Sequence, residues 1–344
     1  MNEAFREIIT ASDADRRDLF VSTATRLGTT MQNVEKDFWV CWVLDALFNG
    51  LPPGGPRLLF KGGTSLSKGF GLISRFSEDI DITVFRGDLG QHVEPADLEA
   101  LSGKQRRVRL DAIREACRVF IQGDFSAGLR TRAMELIPQG FTLEADPEDG
   151  DGQSLLFWYP TATAQPGEYI RSAVKIESGA KSALDPHAIA IVQPYVADHL
   201  PHLDLRVTNV TTVRPERTFW DKIVILHGLR QWFEQRGELR HGGQRVSRHY
   251  YDVHQLLRSP ASPEWIANVD LAEDCARHAR LFFGSPDLGL GIARHGAFTL
   301  TPSAGMLDAL RRDYVAMTGM IFHEVPSLAE VLASVERAEA VINA

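Results

Sequence analysis

The sequence predicts an α/β domain followed by a helical one, and three observations carry that reading. Leu58-Leu59-Phe60 is a short apolar run that stops at Gly62-Gly63, and a helical apolar spacing (Leu66, Phe70, Ile73) follows at once. Asp79-Ile80-Asp81-Ile82-Thr83-Val84-Phe85 alternates polar and apolar residues as a half-buried strand does. Beyond Val213 the β-rich runs give way to helical patterns. The chain of 344 residues is long enough for two domains, expected at 1–213 and 214–344.

Taken in order, residues 1–50 read as helical, with a charged amphipathic stretch at Ala14–Arg26 and a more apolar one at Val34–Leu47. Lys36 and Asp37 in the second stretch read as a charged helix face. Pro52-Pro53-Gly54-Gly55-Pro56 breaks the helix and leads into the first strand. Pro95–Gln122 predicts a long helical region carrying Lys104, Arg106, Arg107, Arg109, Arg114 and Arg118. Charge patterning leaves two readings of it open, a solvated face paired with Asp111 and Glu115 or a surface for nucleic-acid phosphates. Strands follow at 141–144, 154–159, 173–177, 189–196 and 205–213. Pro215–His227 starts with proline and an acid in its first turn, as helices do. Arg236–Arg248 reads as a loop and forms a second basic patch, and Arg248–Leu257 is helical again. Three further helices are expected at 264–283, 303–319 and 328–342.

Composition narrows the function classes. Apolar residues make up 44% and charged residues 24%, ordinary for a globular protein, and the net charge of −8 excludes a uniformly basic nucleic-acid coat. Cys41, Cys117 and Cys275 match no zinc or redox spacing and read as reduced thiols, and no run reaches transmembrane length. A cytoplasmic protein without a membrane partner is expected.

The chemistry concentrates between Leu58 and Phe85. Without a Cβ at Gly62 and Gly63 the backbone can turn sharply and admit a ligand, with helical N–H groups and the hydroxyl of Thr64 or Ser65 beside it. Lys68 closes the same segment. Strand alternation puts Asp79 and Asp81 on one face, and two adjacent carboxylates suit Mg²⁺. Ser77 falls on that face as well. On the strand at 173–177, Lys175 and Glu177 share a face; Glu177 is either a third carboxylate or a salt-bridge partner of Lys175.

Gly62-Gly63-Thr64-Ser65-Leu66, a spacer and Ser77-Glu78-Asp79-Ile80-Asp81 together resemble the DNA polymerase β-type nucleotidyltransferases, in the form of the AbiEii/MenT toxin branch. The resemblance implies a nucleotidyltransferase-type mixed sheet with helices, completed by the helical C-terminal domain, with the active site in a cleft. It also implies transfer of a nucleoside monophosphate from an NTP to an acceptor hydroxyl, with Mg²⁺ or Mn²⁺ held by Asp79 and Asp81. Family motifs carry over to Lys222 as the residue that neutralises phosphate charge, to Asp252 as its orienting partner and to Arg248 as a phosphate contact. Where relatives often have Arg-Asp, this chain has Arg248-His249. The implied acceptor is RNA, specifically a tRNA 3′ end, the implied partner is an antitoxin protein, and the resemblance adds Ser77 as a candidate for regulatory phosphorylation. Nucleotidylylation of a small molecule or protein, or a non-catalytic binding module, are the other readings.

Overall fold

A computed structural model describes residues 1–137, 139–163 and 172–344. In chain order the elements are α1 (Ala4–Ile9), α2 (Asp13–Leu27), α3 (Met31–Asp45), β1 (Leu58–Lys61), α4 (Gly62–Lys68), β2 (Asp79–Val84), α5 (Pro95–Glu99), α6 (Gly103–Phe120), α7 (Ser126–Leu136), β3 (Thr142–Ala145) and β4 (Ser154–Trp158). They continue with β5 (Ala173–Gly179), β6 (His187–Val192), β7 (Val207–Val213), α8 (Pro215–Arg236), α9 (Ser247–Leu257), α10 (Ser262–Ala267), α11 (Val269–Phe282), α12 (Leu307–Thr318) and α13 (Leu328–Ile342). The chain divides into two compact units at Val213/Arg214, and two short segments, 71–75 and 94–100, belong to the second unit.

The first unit is built on a mixed sheet of seven strands among the described residues, in the order β3-β4-β5-β2-β1-β7-β6. At its centre β2 runs antiparallel to β1 and parallel to β5. The alternation read from the sequence sets the two faces of β2. Ile80 and Ile82 are fully buried on one, and Asp79 and Asp81 are half-buried on the other.

Helix α3 packs on β2, β5 and β7. Thr30 caps it by accepting the Asn33 N–H, and Phe38, Trp39, Trp42 and Leu44 are buried along it. Trp39 stacks on Tyr159 at 5.4 Å between ring centroids and meets Trp42 edge-on at 5.9 Å, so one aromatic cluster joins helix and sheet.

The charged face expected at Lys36 and Asp37 is not solvated. Glu35, Lys36 and Asp37 are all buried, each with its own partner. Glu35 accepts hydrogen bonds from the Thr161 hydroxyl, the Ala162 N–H and the Thr163 N–H, and Lys36 pairs with Glu78 at 2.8 Å. Buried charges persist only when paired and hydrogen-bonded, and these three pin distant segments to α3.

Two helix bounds also differ from expectation. Helix α4 stops at Lys68 instead of reaching Ile73, and Gly71 beyond it has φ +63°, which a helix cannot continue through. The helix expected at 264–283 is two, because the Asn268 side chain accepts the Leu271 N–H and starts α11 afresh.

The second unit is helical. Helices α9 and α11 pack on α8, α13 packs on α9, and Phe219, Trp220, Tyr250, Leu256 and Val335 are buried among them. No helix among the described residues is long and apolar enough to cross a membrane.

Candidate active site

In the first unit the site begins where β1 ends. Gly62 has φ +78°, a backbone conformation that side-chain-bearing residues rarely adopt. A Cβ at that position would stand 2.0 Å from Asp81 Oδ2 and 2.7 Å from its Cγ. Glycine at 62 is therefore required twice, by the turn and by the carboxylate that occupies the space of the absent methyl group. The register opposes Asp81 to Lys61 on one neighbouring strand and to Glu177 on the other. Lys61 Nζ lies 3.7 Å from Asp81 Oδ1, with both side chains about a third exposed, so that pair is loose.

The hydroxyls of the glycine segment are spent on the turn. Thr64 is buried; its Oγ1 donates to the Asp79 carbonyl and lies 2.8 Å from Ser77 Oγ, tying α4 to the start of β2. Ser65 is fully buried and donates to the Gly62 carbonyl at 2.9 Å. Both hydroxyls, expected beside a phosphate, are engaged within the turn.

Lys68, also expected to bind phosphate, is engaged within the fold as well. Its ammonium pairs with Asp37 at 2.7 Å, both side chains being buried, and sits 3.6 Å from the Tyr195 ring centroid. Burial pulls its pKa down, and the adjacent Asp37 more than offsets that, holding the ammonium charged. Asp37 also accepts the Tyr195 N–H at 2.7 Å. Lys68 thus anchors α4 to α3 from the core.

Of the two readings of Glu177, the salt bridge is the one formed. Glu177 Oε1 is 2.9 Å from Lys175 Nζ, which also meets Asp146 at 3.1 Å. Among the described residues no three His, Cys, Asp or Glu side chains gather to hold a metal, so the acids of β2 form a pair. Two carboxylate groups of this kind fit Mg²⁺, which commonly takes one or two carboxylates and completes its shell with water and substrate phosphates.

The second unit holds a different cluster. Lys222 on α8 and Asp252 on α9 are buried, and Lys222 Nζ donates to Asp252 Oδ2 at 2.7 Å. Sequence reasoning missed the third member, Arg75. Its Nε and Nη2 donate to the two oxygens of Asp252 at 2.8 and 2.9 Å, a bidentate fork. Burial alone would raise the Asp252 pKa, but Arg75 and Lys222 hold it well below the usual carboxylate range.

The spacing of Arg248 and Asp252 allows an i,i+4 ion pair, yet Asp252 is committed to Arg75 and Lys222, and Arg248 has no ion-pair partner among the described residues. His249 is neutral: burial, then the charges of Lys222 and Arg248, push its pKa well down, and its Nδ1 makes no hydrogen bond among the described residues. The start of α9 is fixed by Asp313, which accepts the N–H groups of Arg245 and Ser247 at 2.7 and 2.6 Å.

The family model of the nucleotidyl transferase AbiEii toxin of type IV toxin–antitoxin systems matches residues 45–342. The chain belongs to that family. It is accordingly a nucleotidyltransferase of the AbiEii toxin type. Among solved structures, MenT4, a nucleotidyltransferase toxin from Mycobacterium tuberculosis H37Rv, is 18% identical over 95% of this chain and 99% of its own, with a TM-score of 0.42. No curated protein sequence matches the chain. The family match spans both the Asp79/Asp81 strand and the Lys222/Asp252 helices, so both clusters described above belong to the matched region.

The Lys68 assignment is tested by stability. Lys68→Met strands a buried carboxylate, and the unfolding free energy in urea should fall by ~3–5 kcal/mol. Adding Asp37→Leu should recover most of that loss. A phosphate ligand would behave differently, losing NTP affinity at unchanged stability.

Proposed function

We propose that this AbiEii-family chain transfers a nucleoside monophosphate from an NTP to a hydroxyl of RNA, with the 3′ end of tRNA as the acceptor, and that it does so as a toxin held in check by an antitoxin protein in the cytoplasm. The observation that carries the reading is the Asp79/Asp81 pair on the half-buried face of β2, packed against a glycine turn that has no room for a side chain. In the reaction the acceptor oxygen bonds to the α-phosphorus, the bond to the β,γ-pyrophosphate breaks, and the acceptor proton leaves.

Asp79 and Asp81 would hold Mg²⁺ or Mn²⁺, which supplies charge neutralisation at the triphosphate and a lower pKa for the acceptor hydroxyl. Gly62 and Gly63 keep the turn open for that carboxylate pair. Lys222 offsets phosphate charge, Asp252 fixes its ammonium in place, and Arg248 adds a second cation. Glu177, tied to Lys175, is not assigned a catalytic part.

The acceptor assignment is supported by a small number of cations. On α6, Arg118 pairs with Glu115, Arg114 with Asp111 and Asp151, and Arg109 bonds Gln91 and the His92 carbonyl. These fit the paired-face reading of the first basic patch. Lys104 and Arg107 are exposed and have no partner among the described residues, which leaves them to meet phosphates. In the second patch Arg236 pairs with Asp287, and both Arg236 and Arg240 lie over Trp232.

Three outcomes are expected. With label at the α-phosphate of an NTP, label should move to RNA, and with label at the γ-phosphate it should not; transfer to protein or a small molecule alone would refute the RNA acceptor. Asp79→Ala or Asp81→Ala should cut that transfer by more than ~100-fold while the thermal unfolding transition is kept. Lys104→Glu/Arg107→Glu should raise the RNA concentration needed for half-maximal rate and flatten its salt dependence, with NTP affinity unchanged.

Ser77 carries a further expectation. Its half-buried hydroxyl lies beside Thr64 and two residues before Asp79. A phosphoryl group there would bring about −1.5 to −2 charges to the acid pair. Ser77→Asp should therefore lose transfer activity and Ser77→Ala should keep a substantial part of it, as measured by the same label assay.

A further inference from the structure

The sheet face that carries the two aspartates also carries two lysines, and they are held differently. In register, Asp79 stands opposite Lys175 on β5, and Asp81 stands between Lys61 on β1 and Glu177 on β5. Lys175 is committed, at 2.9 Å to Glu177 and 3.1 Å to the buried Asp146. Lys61 is not. Its one ion-pair contact among the described residues is Asp81 Oδ1 at 3.7 Å, beyond hydrogen-bond distance, and its side chain is 31% exposed.

The two oxygens of Asp81 differ accordingly. Oδ2 fills the space beside Gly62, and Oδ1 faces the Lys61 ammonium. A divalent cation held by Asp79 and Asp81 therefore draws on a carboxylate that already has a cation beside it. Two cations that share one carboxylate repel each other. An anion between them reverses the sign, and a lysine is suited to that exchange, being a point charge on a flexible four-carbon stem. Lys61 also ends β1 immediately before the glycine turn, so its stem starts beside the acid pair.

We propose that Lys61 is a phosphate-binding residue of the first unit that exchanges Asp81 for a phosphate oxygen of the nucleotide, and so disfavours the bare divalent cation while favouring the metal–triphosphate complex. This rests on the reading of Asp79 and Asp81 as the metal-binding pair. The discrimination comes from charge alone, since the lysine opposes the metal when the metal arrives by itself and attracts the phosphates when the two arrive together.

The test uses the full chain and two probes, Mn²⁺ alone, followed by its electron paramagnetic resonance signal, and the preformed complex of Mn²⁺ with inorganic tripolyphosphate, followed by titration calorimetry. Thermal unfolding checks the fold of each variant. Lys61→Met removes the competing cation, and affinity for Mn²⁺ alone should rise about fivefold, the effect of one unit charge at roughly 4 Å in water. In the same variant affinity for the tripolyphosphate complex should fall about tenfold. These opposite shifts are the signature of a residue that changes partners. Unchanged affinities would mark Lys61 as an ordinary surface lysine, a fall in both would mark it as a support of the acid pair, and either result overturns the proposal.

Lys61→Gln gives the same comparison should Lys61→Met fail to fold. Lys61→Arg keeps the charge and should stay within a few fold of wild type for both probes; an arginine variant that behaves like Lys61→Met shows that charge is not the cause, and the proposal falls. Asp81→Asn separates the two layers. If it binds Mn²⁺ as tightly as wild type, the acid pair is not the metal site and the role of Lys61 falls with it. If it weakens Mn²⁺ binding while Lys61→Met leaves both affinities unchanged, only the role of Lys61 is wrong.

Discussion

The carboxylate of Asp81 occupies the volume that a methyl group on residue 62 would fill, and the acid pair on β2 depends on that vacancy. A Cβ at residue 62 would come within 2.0 Å of Asp81 Oδ2, far inside van der Waals contact. Any side chain there forces either the turn or the strand to move, and the strand cannot move freely because Ile80 and Ile82 are locked into the core on its other face. The antiparallel register of β1 and β2, with Lys61 opposite Asp81, brings the turn and the acid together. Sheet pairing, a left-handed glycine and an acid two residues along from another are therefore one constraint expressed at three levels.

Around that constraint the first unit uses polar groups as fasteners. Thr64 ties the glycine turn to the first carbonyl of β2, Lys36 holds Glu78, and Lys68 holds Asp37, so the segment that carries the two aspartates is bound to α3 at several points. Each buried ion pair has a large desolvation cost that its own attraction barely offsets. What such pairs supply is geometry, since removing one partner leaves an uncompensated charge and the alternatives are strongly disfavoured. Fixing two carboxylates a residue apart on a strand is a task for which that kind of rigidity is suited.

The sequence made the motif legible because its signals are local. Two glycines at the end of an apolar run and an alternating Asp-x-Asp each follow from backbone geometry within a few residues. The fastening residues were not legible for the converse reason. Lys36 and Asp37 have the same charge pattern whether they face water or the core, and only their partners Glu78 and Lys68, 42 and 31 positions away, decide it. Thr64, Ser65 and Lys68 sit where phosphate ligands would in a strand–turn–helix, and no one-dimensional pattern distinguishes a hydroxyl that faces a ligand from one bonded to its own turn. Arg75 offered a faint signal, a single arginine between the apolar Ile73 and Phe76 just ahead of the acids, and its partner Asp252 lies 177 residues on. Glu177 was left open by spacing, and Lys175, two residues before it, is the partner it meets.

Each unit holds its own charged cluster. The first unit contributes a carboxylate pair, which repels phosphate unless a divalent cation stands between them. The second holds the buried carboxylate of Asp252 between Arg75 and Lys222. The proposal that the chain acts on RNA has to be reconciled with a net charge of −8. Most arginines of α6 are already matched by neighbouring acids, so they add little long-range attraction. With about −0.7 in salt slope per neutralised phosphate of a single strand, two exposed cations such as Lys104 and Arg107 give only a weak, shallow electrostatic grip. On the proposed RNA reading, selectivity for the acceptor has to arise from the fit of its terminal hydroxyl, more than from the length of RNA held.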